Sequence, residues 1–246
     1  MSQRRILRLS GPDTRSFLQG LVTNDVEKID QGLVYAALLT PQGKYLADFF
    51  LLAEGPDVLL DADADQAENL MKRLSMYRLR AKVDITLSEV QVQRGIGHAP
   101  DGALADPRHS DLGWRLYGDQ GGDDGSDWDA IRVAHCIPET GIELTPDSYI
   151  LEAGFEALNG VDFRKGCYVG QEITARMKHK TELRKGLRVV EINGMAPTGS
   201  AITAAGKPVG TLFTQSGPLA IAYLRLDRAK GEMIAADAQL RLPNTG

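Results

Sequence analysis

Cysteine is scarce in this chain of 246 residues: only Cys136 and Cys167 are present. With no CxxC pair and no Cys/His spacing of the metal-binding kind, neither a disulfide framework nor a zinc site is supported. The four dispersed histidines (His98, His109, His135, His179) add no ligand cluster. Long apolar runs are missing as well. The longest covers only 33–39, far short of the roughly 20 residues that span a bilayer, so no membrane partner is expected. The opening MSQRRILRLS lacks a sustained apolar stretch and a small-residue cleavage site. It does not read as a secretory signal, and a cytoplasmic protein is expected. GxxxxGK followed by Ser or Thr, GxGxxG after a strand, GxSxG and HExxH are all absent, which removes the usual nucleotide, hydrolase and metalloprotease signatures. An excess of positive charge is lacking too. Lys and Arg number 28 against 33 Asp and Glu, and the resulting −5 is the wrong sign for a chain whose main task is to grip a nucleic-acid backbone.

What is present suits a globular chain, with 43% hydrophobic and 25% charged residues and enough length for one large or two smaller domains. The charge is uneven. Residues 162–188 carry Arg164, Lys165, Arg176, Lys178, Lys180, Arg184, Lys185 and Arg188 against Asp162, Glu172 and Glu182. Residues 70–83 carry Lys72, Arg73, Arg78, Arg80 and Lys82 and no acid, whereas 101–129 is strongly acidic. A solvated face explains such runs as readily as a binding surface.

Periodicity sets out the elements. A short helix over 14–21 starts behind Asp13. Two buried strands, 33–39 and 45–52, flank the turn Thr40-Pro41-Gln42-Gly43, and another strand covers 58–60. Asp61, Asp63 and Asp65 offer N-caps for a helix through Met76, in which Leu70, Leu74, Tyr77 and Ala81 form one apolar stripe and Met76 turns away. Alternation predicts strands around 83–87 and 90–92. DQGGDDGSD (119–127) reads as a surface loop and the best candidate for disorder. Residues 130–134 read as a strand and 146–159 as a helix or wrapped segment. Short apolar runs at 187–192, 209–214 and 219–226 suit a small antiparallel barrel. The class is therefore α+β with a C-terminal β-domain.

Two places can carry chemistry. Asp48 is a lone carboxylate in the strand YLADFFLL. Ionised and buried it would cost several kcal/mol (roughly the range for an unpaired buried charge) and so requires a partner, protein or ligand; alternatively it points outward into solvent. The second is KGCYVGQE (165–172). Gly166 and Gly170 let backbone approach a ligand, while Lys165 and a helix N-terminus would favour the Cys167 thiolate; a small buried hydrophobe is the plainer reading of the same cysteine. One thiol alone cannot complete a metal's ligand set.

KGCYVGQE resembles the signature of the YgfZ-type folate-binding proteins, relatives of the glycine-cleavage T-protein that include mitochondrial iron–sulfur assembly factors. FLQG (17–20) with TND (23–25), the Y…KVxI pattern over 77–85, PETG-E-L over 138–144, GKPVGT (206–211) and AIAYL (220–224) resemble further family segments. The resemblance implies an aminomethyltransferase-like region of two intertwined α+β lobes over 1–186, crossing over near 93–130, and an antiparallel barrel over 187–246. Tetrahydrofolate would lie in a central channel. Asp48 falls at the carboxylate proposed to act on folate nitrogens, and Arg132 at a folate-contacting arginine. Lys165, Gly166, Tyr168, Gln171, Glu172 and Arg176 would shape the site around a reactive or partner-contacting Cys167. Both basic windows would draw the tail of polyglutamylated folate. Ala134 stands where the T-proteins keep an acid, and KGCYVGQE is not theirs. The implied function is thus a folate-binding accessory factor for iron–sulfur cluster assembly or repair, with iron–sulfur enzymes or assembly proteins as partners. The alternatives are a tetrahydrofolate-dependent aminomethyltransferase and a folate-binding module without turnover.

Overall fold

The computed structural model describes residues 3–179 and 183–243; Lys180 and Glu182 of the basic window lie outside them. The chain forms two compact units, 1–126 with 156–173 and 127–155 with 174–246.

The first unit opens with β1 (Arg4–Ser10), α1 (Thr14–Gln19) and a 3₁₀ turn (Val26–Asp30), followed by β2 (Val34–Leu39), β3 (Tyr45–Glu54), β4 (Asp57–Asp63), α2 (Ala64–Arg78) and β5 (Asp84–Leu87). The strands make one antiparallel sheet in the order β2-β3-β4-β1-β5. The predicted hairpin is there, closed by the Gly43 amide donating 2.8 Å to the Thr40 carbonyl with Gly43 at φ 74°. Asp63 caps α2 by accepting from the Asp65 amide at 2.9 Å. Leu70 and Leu74 are buried, Tyr77 and Ala81 pack on the same core, and Met76 faces solvent, as the stripe requires.

Strand parity explains why β2 and β3 read as apolar runs without alternation. Leu7, Leu9, Ala36, Leu38, Phe49, Leu51 and Leu60 fill a core on one face of the sheet, each large side chain contributing about 1.5–3 kcal/mol. The opposite face is buried too, and there polar and aromatic side chains, Tyr35, Asp48, Phe50 and Asp61, stand beside the aliphatic Ile6 and Leu59. It meets groups from a second sheet of the same unit: β6 (Gln91–Gly95), β7 (Leu104–Ala105), β8 (Trp114–Gly118) and β9 (Gly122–Asp123), in the order β7-β8-β6-β9.

Residues 119–127 are a structured connection rather than a disordered one. β9 pairs with β6, the Asp124 carboxylate accepts from the Ile96 amide at 2.8 Å and from the Ser126 hydroxyl at 2.6 Å, and Asp127 caps the next helix. The acids serve backbone donors, which composition alone cannot show.

The second unit begins with α3 (Trp128–Ala134), where a strand was expected over 130–134. A five-residue apolar run has no decisive period. The Asp127 cap on the Ala130 amide (3.0 Å) and the i, i+4 burial of Trp128 and Arg132 select the helix. Residues 146–159 wrap as turns without a regular helix. α4 (Gln171–Lys178) follows, then β10 (Lys185–Asn193), β11 (Ala201–Ala204), β12 (Lys207–Ser216), β13 (Leu219–Arg225), β14 (Met233–Ala235) and β15 (Ala238–Arg241), closing a barrel in the order β10-β13-β12-β11-β14-β15. Compactness thus groups 127–155 with the barrel, a different division from 1–186 and 187–246. The reason is chemical. Glu143, 4% exposed, accepts from Thr214 Oγ1 at 2.5 Å and from Arg132 at 3.2 Å, and Tyr223 donates to Glu152 at 2.5 Å, tying the segment to β12 and β13.

Candidate functional site

The loop that carries Cys167 is fixed from below by the FLQG and TND segments. The buried Thr23 hydroxyl donates to the Gly160 carbonyl (2.7 Å) and accepts from the Ala37 amide (2.8 Å). The Asn24 amide group donates to the carbonyls of Tyr35 (2.8 Å) and Asn159 (2.7 Å), while Gln19 binds the Asp25 carboxylate and the Val26 amide. Asp162 accepts from the Arg164 and Lys165 amides and pairs with Lys28 at 2.6 Å. Burial opposes its ionisation, yet Lys28 and the two amides outweigh it and hold the carboxyl below its ordinary range.

Lys165 is buried. Its ammonium donates to three carbonyls, Gln19 at 2.8 Å, Val22 at 2.5 Å and Asn24 at 2.9 Å, and lies 5.2 Å from the Tyr168 ring centroid. Burial lowers its pKa to about 8, against Asp25 and Asp162, so the ammonium is still largely charged at neutral pH. Its charge pins the loop to the end of α1. The hydrogen bonds of the ammonium go to these carbonyls.

Gly170 supplies the second anchor. At φ 84°, it packs so tightly that a Cβ there would lie 2.6 Å from the Thr40 carbonyl and 3.0 Å from Leu39 Cβ. Gly43 in the facing hairpin turn is as confined, by Ile173 at 2.9 Å. Between these anchors Gly166 and Cys167 are exposed, and a Cβ on Gly166 would meet nothing within 4 Å. The buried-packing reading of Cys167 therefore fails. Tyr168 is buried beneath the loop, and α4 starts at Gln171, beyond the thiol, with Glu172 and Arg176 on its exposed side.

Asp48 is 7% exposed and finds its partners in the protein: Tyr35 donates to one oxygen at 2.9 Å and Tyr45 to the other at 2.5 Å. The solvated alternative is excluded. Burial, and then the negative Asp48, push the Tyr35 phenol well above its usual range, so it remains a donor. Beside them lies a layer of buried charge. Arg4 and Arg115 bind Asp61 at 2.7 and 3.1 Å, Tyr117 donates to Asp61 at 2.9 Å, and Arg115 and Arg108 bind Asp106 at 3.1 and 2.8 Å. The guanidinium carbons of Arg115 and Arg108 stand 4.0 and 4.8 Å from the Phe50 ring centroid. Arg4, Arg108 and Arg115 balance Asp48, Asp61 and Asp106, which makes burial of so many charges tolerable.

Arg132 belongs to the second unit, where its guanidinium meets Glu143 (3.2 Å), Glu139 (3.1 Å), Asp129 (3.1 Å) and the Ile137 carbonyl (2.9 Å). Cys136 is in the same unit, and burial pushes its thiol up to about 12. The first unit also holds a cleft of about 310 Å³ lined by Asn24, Lys28, Gln31, Tyr35, Pro107 and Asn159.

Sequence reasoning missed Tyr35, Tyr45, Arg108 and Arg115. Strand parity could have placed Tyr35 with Asp48, because Tyr35 faces Phe50 and Ala37 faces Asp48 across the hairpin. Tyr45 was hidden by the register shift after Leu38, where an extra residue in β3 breaks the alternation that would have turned it away.

The C-terminal β-barrel domain of CAF17 matches residues 184–244. The chain is 33% identical to the mitochondrial iron–sulfur cluster assembly factor IBA57 of Homo sapiens and 31% identical to that of Mus musculus, in each case over 94% of this chain and 78% of the relative. The crystal structure of glycine cleavage system aminomethyltransferase T from Bartonella henselae aligns with a TM-score of 0.76 over 99% of this chain and 84% of that chain, at 14% identity. The last likeness shows the fold: aminomethyltransferase-like α+β with a closed C-terminal barrel, as the resemblance implied. The identity to the assembly factors extends over nearly the whole sequence, and the chain belongs to the IBA57 family of iron–sulfur cluster assembly factors.

Proposed function

We propose that this chain supports iron–sulfur cluster assembly or repair, with Cys167 as the thiol presented to a partner protein or its cluster and tetrahydrofolate as the bound cofactor. One observation carries the reading. Cys167 is exposed on a loop whose neighbours on either side, Lys165 and Gly170, are buried and fixed, so the thiol is displayed on a rigid platform rather than packed.

The donor set fits folate at Asp48 and not at Arg132. A buried carboxylate flanked by Tyr35 and Phe50 suits the N–H groups and flat face of a pterin, and Tyr35 also lines a cleft of about 310 Å³, in the lower range of small-molecule sites of about 300–1,000 Å³. The Arg132 guanidinium is already surrounded by Glu139, Glu143 and Asp129. When bound, the folate would supply one-carbon carriage. The chain's own part is to hold it through Asp48, with Tyr35 and Tyr45 keeping that carboxylate oriented. Asp48→Asn removes a buried charge and one of the two oxygens that accept from Tyr35 and Tyr45, so it should melt below wild type while still folding, and at a temperature where both are folded it should weaken tetrahydrofolate binding in calorimetry at least tenfold. Unchanged affinity would remove Asp48 from the site.

Cys167→Ala alters an exposed side chain, so stability should stay within about 0.5 kcal/mol. In cells lacking the protein the variant should fail to restore iron–sulfur enzyme activities. Native wild type at pH 7 should take up iodoacetamide at Cys167 alone, because a thiol pushed up to about 12 at Cys136 has almost no thiolate. Full complementation by the alanine variant would end the proposal for this thiol. The likeness to an aminomethyltransferase and the buried Asp48 favour a second reading, one-carbon transfer. With tetrahydrofolate and an aminomethylated lipoyl carrier as substrates, formation of methylenetetrahydrofolate, ammonia and the dihydrolipoyl carrier at roughly 1–10³ per second would establish it.

A further inference from the structure

The end of α2 departs from what a helix terminus ordinarily does. Its C-cap is Leu79, at φ 41° and ψ −99°, a region usually left to glycine. The leucine side chain is 90% exposed, so no burial offsets the strained backbone. One turn earlier Met76 is 67% exposed. Lys72, Arg73 and Met76 lie on the outward face of the last turns of α2, and Leu79 and Arg80 follow directly in the exposed turn after its end. Lys72, Arg73, Arg80 and Lys82 are exposed, and among the described residues none of them makes an ion pair. Arg78 differs: it donates to the Val83 carbonyl at 3.0 Å and serves the helix end itself. The result is an exposed leucine and methionine beside four cations that make no ion pair among the described residues, on a chain whose net charge is −5; the acids nearest this end are Asp84, 3.9 Å from Arg78, and Asp13, which accepts from the Lys82 amide.

We infer that this end of α2 is a docking surface for an acidic protein segment, which seats an apolar side chain against Leu79 and Met76 while its carboxylates meet Lys72, Arg73, Arg80 and Lys82. The charge pattern selects the partner's sign, and the strained leucine at its centre selects an apolar anchor. Polyglutamate matches the cations but has no apolar group to explain Leu79. A lipid surface needs a broad apolar helix face, and the remaining apolar stripe of α2 is committed to the core. A second copy is poorly matched, since Asp106, Asp124 and Asp127 of the acidic window already bind groups of their own chain. The surface is independent of Cys167 and of folate, so its test does not depend on the proposed function.

The test uses the whole protein and a fluorescein-labelled synthetic peptide with a central Leu-Phe pair flanked by glutamates. Fluorescence anisotropy should show binding that weakens as salt rises, because screening acts over about 8 Å at physiological ionic strength. Arg73→Glu with Arg80→Glu should reduce affinity at least tenfold. Leu79→Gly should reduce it at least threefold and yet melt no lower than wild type, since glycine accepts the positive φ; a peptide with Gly-Gly in place of Leu-Phe should lose as much. Equal binding by all variants, or no binding by wild type, would overturn the inference. So would pentaglutamyl tetrahydrofolate or phosphatidylserine vesicles matching the peptide in affinity and in sensitivity to the two charge reversals.

Discussion

Asp106→Asn should lower the stability of the first unit by about 3–5 kcal/mol, the usual loss when one partner of a buried ion pair is removed. Asp106 is 5% exposed and receives Arg108 at 3.0 and 2.8 Å and Arg115 at 3.1 Å, so asparagine leaves two buried guanidinium groups short of an anion. Arg108 and Arg115 also flank Phe50, hence the loss should spread into the layer that holds Asp48. The pH dependence has a definite sign. Burial alone would raise the Asp106 carboxyl, but Arg108 and then Arg115 outweigh it and hold it below the ordinary carboxylate range. The folded state therefore binds fewer protons than the unfolded state. The stabilisation is complete above the unfolded value, about pH 4, and is lost as pH falls toward the depressed folded value. Urea midpoints followed by circular dichroism should differ most between wild type and Asp106→Asn above pH 5 and converge in acid. A gap that stays constant from pH 7 to pH 3 would show that Asp106 is not the ion pair's titrating member.

The same residue shows where sequence reading stops. As composition, 101–129 is an acidic run and reads as a solvated face. In space Asp106 meets Arg108 two positions on and Arg115 nine positions on, beneath a sheet whose polar face lies in other segments. Nothing local encodes that meeting. By contrast the β2–β3 hairpin, the α2 stripe and the barrel strands were legible, because burial on a helix or strand imposes a period or a sustained apolar run that survives without knowledge of the partner. α3 was not, since AIRVA is too short to have a period and the decisive cap, Asp127, sat inside a run that looked like loop.

The candidate site was legible in part for the same reason. Asp48 stood out as a charge among apolar neighbours, and burial among hydroxyl donors bears out the need for a partner that this implied. Cys167 and its glycines stood out by motif, but their division of labour is three-dimensional. Lys165, expected beside the thiol, turns to three carbonyls supplied about 140 residues earlier in the chain. A lysine next to a cysteine in sequence thus says little about which charge the sulfur meets.

The two glycines of that motif should separate experimentally. Gly170→Ala should cost about 2–5 kcal/mol, combining roughly 1–2 for a left-handed backbone with about 1–3 for overpacking. Its Cβ would stand 2.6 Å from the Thr40 carbonyl and 3.2 Å from Gly43 Cα, both backbone atoms of a tight turn that cannot yield without opening the hairpin. Gly166→Ala adds a methyl group to open space at an exposed position and should change stability by no more than about 0.5–1 kcal/mol. Urea midpoints of the two variants decide the structural half of the argument; equal midpoints would mean that the loop is not anchored at Gly170. The functional half lies in the opposite order. Because Gly166 borders the thiol and a Cβ there meets none of the described residues within 4 Å, a methyl group should interfere chiefly with something that approaches from outside. Gly166→Ala should therefore keep its fold while weakening complementation of iron–sulfur enzyme activities, and wild-type activity in that variant would show that whatever meets Cys167 does not pass over Gly166.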